Sequence, residues 1–148
     1  MAPVALLDVN LLVALFFPDH VHHDLAHDWF GEHLHLGWAT CPISENGFVR
    51  VACQQPLDGG MPRPVDMLDR LRRFCATPHH HDWTDEVSLR DTSLFAPSFI
   101  RGHRQITDVY LLGLAKKMGG RLATFDRTIP VTAVRGATPD LLQIIAPE

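Results

Sequence analysis

The sequence predicts an α/β domain built on a mostly parallel sheet, and three observations carry that prediction. The apolar run Val4-Ala5-Leu6-Leu7 stops abruptly at Asp8, the pattern of a strand buried on both faces. A second run, Leu122-Ala123-Thr124-Phe125, stops at Asp126 in the same way. Between them strand-like and helix-like segments alternate, as they do when a parallel sheet is wound with crossover helices.

The elements follow in order. Asn10 is placed to cap a buried helix over the apolar residues 11–17, and Pro18-Asp19 ends it. Residues 21–34 form a second helix with Leu25, Trp29 and Phe30 on one face, and 37–41 a second strand closed by Pro42. Ser44 and Glu45 then lead into the helical spacing of Phe48, Val49, Val51 and Ala52. Gly59-Gly60 and three prolines make 55–64 a loop, and 64–74 reads as an amphipathic helix. A short polar strand is expected at 79–83, a helix at 85–95 and a loop at 97–104. The strongest helix covers 106–115, with Thr107 as its cap and Asp108 in its first turn. Asp108 heads a face otherwise made of Leu111, Leu112 and Ala115, and a charge is rarely placed there without a partner. Gly119-Gly120 ends that helix. Beyond Asp126, a strand is expected at 131–134 and a final helix at 139–145.

A chain of 148 residues, 46% hydrophobic and 20% charged, suits one domain, expected to span 1–148. No apolar stretch approaches the ~18 residues that span a bilayer, and no basic region precedes the first apolar run, so neither membrane insertion nor a signal peptide is expected. Cys41, Cys53 and Cys75 are odd in number and widely spaced, which points to reduced thiols in the cytoplasm rather than disulfides or a zinc site. The net charge of −4 is uneven. Residues 101–135 hold seven Lys/Arg against Asp108 and Asp126, enough for a local surface that binds phosphate backbones. Arg101, His103, Arg104 and Arg127 are its candidates for contact with such a backbone.

Four acids occupy one kind of position. Asp8 and Asp126 stand at strand ends, Glu45 and Asp108 in first helical turns, and in a parallel sheet these places share one rim. Four converging carboxylates repel one another unless a cation or protons neutralise them. Oxygen-only donors suit Mg²⁺ or Mn²⁺, ions that activate water and stabilise the oxyanions of phosphoryl displacement.

Four stretches carry a resemblance: Asp8 with Asn10, residues 44–51 (SENGFVRV), residues 101–108 (RGHRQITD) and residues 122–127 (LATFDR). They resemble, in order and spacing, the PIN-domain ribonucleases, and among these the VapC toxins of bacterial toxin–antitoxin pairs. The resemblance implies a three-layer α/β/α PIN-like fold. It implies a Mg²⁺- or Mn²⁺-dependent endoribonuclease, homodimeric and inhibited by a cognate VapB antitoxin. By position, Asp8, Glu45, Asp108 and Asp126 would be its catalytic metal-site acids, with Asn10, Ser44 and Thr124 as supporting polar residues. The loop at 56–64 and the histidines at 79–81 inherit nothing from it.

Other readings are weaker. His23 and His27 have the i, i+4 spacing of a zinc pair, without a third ligand fixed by spacing. A haloacid-dehalogenase-type phosphatase also opens on a strand ending in aspartate, but needs a second carboxylate where Asn10 stands. A silent metal-binding adaptor would not need all four acids.

Overall fold

The computed structural model describes residues 3–147. Five strands, β1 (Ala5–Leu7), β2 (Trp38–Thr40), β3 (His80–Asp82), β4 (Arg121–Thr124) and β5 (Leu142–Ile144), form one sheet in the order β3-β2-β1-β4-β5. Every adjacent pair is parallel, with Leu6 of β1 opposite Ala39 of β2 and Leu122 of β4. Helices α1 (Val9–Phe16), α2 (His23–His33), α3 (Pro42–Ala52), α4 (Pro64–Cys75) and α5 (Ile106–Lys117) cover both faces, completing the three-layer α/β/α arrangement.

Strand alternation sorts the core. Ala5 and Leu7, with Trp38 and Ala123, pack against α1 to α4. Leu6, Ala39 and Leu122 point the other way, onto α5. The central strands are therefore buried on both sides, which is why they read as unbroken apolar runs. The edge strand β3 is His80-His81-Asp82, and polar side chains on an edge discourage pairing with other chains. Gly113 lies in α5 directly against the Phe95 ring, where a Cβ would collide. Among the described residues no helix is long and apolar enough to cross a membrane.

Three expected elements differ. No helix forms over 85–95. The Asp91 carboxylate accepts the Ser93 N–H and O–H, the Ser88 hydroxyl accepts the Arg90 N–H, and Thr84 donates to Glu86. Such local side-chain bonds compete with helical ones and win here. Residues 131–134 form a 3-10 turn over Val131–Ala133 rather than a strand, their apolar side chains still entering the core. The expected last helix stops after a single 3-10 turn, Pro139–Leu141, and the chain runs on as β5. The open edge of β4 supplies ladder partners, and the Ile145 N–H reaches the Thr124 carbonyl at 2.9 Å. Tertiary pairing overrides local preference there.

The histidine pair on α2 has a structural task. The ring nitrogens His23 Nδ1 and His27 Nε2 donate to the Ala14 and Leu15 carbonyls at 2.7 and 2.8 Å. Those carbonyls belong to the last turn of α1, which has no intrahelical donors for them. The spacing that would suit zinc instead ties α2 to the end of α1. His23→Ala is accordingly expected to destabilise the fold by about 1 kcal/mol, the worth of one such bond. A urea midpoint equal to that of the parent would show that water replaces the imidazole.

Candidate functional site

A cavity of about 550 Å³ opens at the carboxyl ends of β1 and β4 and takes Asp8, Asn10, Asn46, Arg50, Thr107, Asp108, Thr124 and Asp126 into its lining. Asp8 follows β1 directly and is itself the N-cap of α1, a place expected for Asn10. The helix begins two residues early because the aspartate side chain turns back on the first backbone amide. Its Oδ1 accepts the Val9 N–H at 2.7 Å, and its Oδ2 accepts the Thr124 hydroxyl at 2.7 Å. Thr124, fully buried at the end of β4, also accepts the Asp126 N–H at 3.0 Å. One hydroxyl thus joins the two strand-end acids. Asp126 holds its own turn by accepting the Thr128 N–H and O–H on Oδ1.

Asp108 differs from these two. It lies half-buried in the first turn of α5, which starts at Ile106 behind a 3-10 turn and takes no side-chain cap from Thr107. No described residue donates a hydrogen bond to its carboxylate. Burial, then the charges of Asp8 and Asp126, push its pKa up to about 7. The Asp8 pKa is also raised by burial, against the lowering effect of its bonds from Thr124 and Val9, while the charge of Asp126 raises it further. In both, burial is the larger cause and the charge of neighbouring carboxylates the smaller one.

Glu45 is not brought into this group. Its Oε2 accepts the Thr40 hydroxyl at 2.7 Å, and Thr40 Oγ1 lies 2.8 Å from His80 Nε2. Because the single Thr40 proton goes to the carboxylate, His80 Nε2–H is the donor in the second bond. Glu45 lines a separate cavity with Cys75, His80 and Asp82. Neighbouring positions on a helix point about 100° apart, so α3 turns Asn46 and Arg50, one turn apart, to the aspartates and Glu45 away from them. Ser44 is buried in the helix cap, accepting the Cys41 N–H and donating to the Cys41 carbonyl. Asn10 and Thr124 do line the aspartate cavity. Arg101, His103, Arg104 and Arg127 are exposed and lie outside its lining. Sequence reasoning missed Asn46, Arg50 and the lining role of Thr107. The available signal was the i, i+4 spacing of Asn46 and Arg50 just after a strand end.

The three aspartates surround the cavity without closing on one point, and among the described residues no three His, Cys, Asp or Glu side chains form a ready chelating cluster. The donor chemistry still fits a hard divalent cation. It is made of carboxylate oxygens, none of the three aspartates has an ion-pair partner among the described residues, and Asp108 keeps both oxygens free of protein donors.

No family model matches the chain. Curated relatives do. The chain is 43% identical to Ribonuclease VapC44 of Mycobacterium tuberculosis over 137 residues, 90% of this chain and 94% of the relative. It is 42% identical to Ribonuclease VapC38 of the same organism over 147 residues, covering 96% and 100%. Ribonuclease VapC39 matches at 39% over 132 residues, covering 89% and 95%.

Proposed function

The chain belongs to the VapC ribonuclease family, and on that premise we propose that it is a metal-dependent endoribonuclease acting as the toxin of a type II toxin–antitoxin pair. Its substrate is RNA, and its inhibitor is a cognate VapB-type antitoxin. The homodimer and the cytoplasmic location implied by the resemblance complete the reading.

One observation carries the site assignment: Asp8, Asp108 and Asp126 line one cavity, with Asp108 pushed up to about 7 by burial and by the other two. Asp8 and Asp108 are the proposed direct ligands, with Asp126 acting directly or through water. The proposed ion is Mg²⁺ or Mn²⁺, which when bound supplies a water-derived nucleophile and charge stabilisation at the phosphorus. The protein's own groups do the rest. Thr124 holds Asp8 in orientation and links it to Asp126, and the buried base of the cavity keeps the carboxylates partly desolvated. Glu45, held by Thr40 outside this cavity, has the proposed part of orienting water or ligating a second ion. Incubating the purified, antitoxin-free protein with total RNA tests the reading. Cleavage with Mg²⁺ or Mn²⁺ that stops with EDTA supports it, and no cleavage under either ion defeats it.

The exposed cations outside the cavity are assigned to the RNA backbone. Replacing Arg101 and Arg104 together with Ala is expected to weaken RNA binding largely regardless of sequence. The slope of log affinity against log salt should flatten by about 1.4, two phosphates at ~0.7 each for a single strand. An unchanged slope would turn this surface toward another partner.

A further inference from the structure

We infer that Arg50 of α3 holds a phosphate of the substrate strand inside the aspartate cavity, an inference that rests on the ribonuclease reading. The argument begins with charge. Three aspartates line the cavity, and a phosphodiester brings one more negative charge to it. A divalent cation offsets two carboxylates and leaves the third unbalanced, so a strand is repelled unless the protein adds a positive charge of its own. Of the thirteen Lys and Arg side chains, Arg50 lines the cavity, and no other Lys or Arg does so among the described residues.

Arg50 is also uncommitted. Arg63, Arg72 and Arg73 each pair with an aspartate on α4 or at its start. Arg50 is exposed and makes no ion pair among the described residues. A guanidinium that lines a cavity with three carboxylates and pairs with none of them is free to take an oxyanion, and its planar fork matches phosphate oxygens two at a time. The backbone under it is held firmly. Gly47 lets α3 lie close on α1, since a Cβ there would come within 2.9 Å of Val9 Cγ2. Asn46, one turn before Arg50 on the same face, adds neutral donors and an acceptor next to the proposed phosphate. Arg101 and Arg104, outside the cavity, gather RNA from solution, whereas Arg50 fixes the strand against the aspartates.

The probe is an oligoribonucleotide spanning a cut that the wild-type protein makes in total RNA. With Arg50→Ala, KM for it is expected to rise about tenfold, the equivalent of one charge-assisted hydrogen-bonding contact. The slope of log KM against log salt should flatten by about 0.7, one phosphate on a single strand. Arg50→Lys should recover part of the KM and most of the slope, because it keeps the charge and loses the fork. Equilibrium binding of the same oligonucleotide in EDTA, read by fluorescence anisotropy, should weaken in the same order. Arg50→Gln serves in place of Arg50→Ala if the latter misfolds. An unchanged KM and salt slope, or a fall in kcat alone, would overturn the assignment of Arg50 while wild-type cleavage leaves the ribonuclease reading standing. If the wild type cuts no RNA, that reading fails and this inference falls with it.

Discussion

Replacing Asp108 with Asn is expected to lower RNA cleavage on the order of a thousandfold while the protein folds normally. A metal ion contributes several kcal/mol of transition-state stabilisation, and each 1.36 kcal/mol is a factor of ten in rate. An amide in place of a carboxylate keeps the volume and removes the charge that would hold the ion. Asp108 is the cleanest of the three aspartates for this experiment because no described residue donates a hydrogen bond to it. Asp8→Asn should also lose activity, with a mixed cause. Both Asp8 oxygens accept hydrogen bonds, from Val9 and Thr124, and an amide can accept only one of them. Initial rates on total RNA with saturating Mg²⁺ or Mn²⁺ provide the measurement. Turnover of Asp108→Asn within a few-fold of wild type would remove the carboxylate from the chemistry.

The parts of this site legible in the sequence are those announced by abrupt polarity changes. Asp8 and Asp126 each end an apolar run that reads as a buried strand, and Asp108 heads an otherwise apolar face of α5. All three line one cavity. Glu45 shows where such reading stops. Its place in the first turn of α3 follows from the sequence, but its direction depends on where the helix starts and on a partner 35 residues further on. His80 engages Thr40, and Thr40 engages Glu45. The same limit explains β5. A proline after Thr138 reads as the start of a helix, and only the free edge of β4 makes residues 142–144 a strand. His23 and His27 carried a spacing with two physical uses, and the position of the α1 carbonyls decides between them.

The stability of Asp108→Asn is expected to change sign with metal, which separates a metal site from a structural cap. In EDTA near pH 8, the wild type carries an Asp108 whose folded pKa of about 7 stands above the ordinary 3.8. A raised carboxylate means that the folded state binds its proton more tightly than the unfolded chain does. The resulting cost is fully present above the folded value, shrinks as pH falls through it, and vanishes below the unfolded value. The variant has no such group, so it should be the more stable protein near pH 8, by about 1 kcal/mol once the open side of the cavity is allowed to screen the repulsion. That lead should close between about pH 7 and pH 4. Adding Mn²⁺ at a hundredfold excess over its Kd should stabilise the wild type by about 2.7 kcal/mol and the variant by much less, reversing the order. Melting curves of both proteins across that pH range, with EDTA and with Mn²⁺, measure every term. A variant less stable than wild type in EDTA would make Asp108 a structural residue of α5, since only a favourable native contact can be lost by removing the charge. Equal gains from Mn²⁺ would mean that the ion binds away from Asp108, because losing a ligating carboxylate raises Kd and so shrinks the stabilisation.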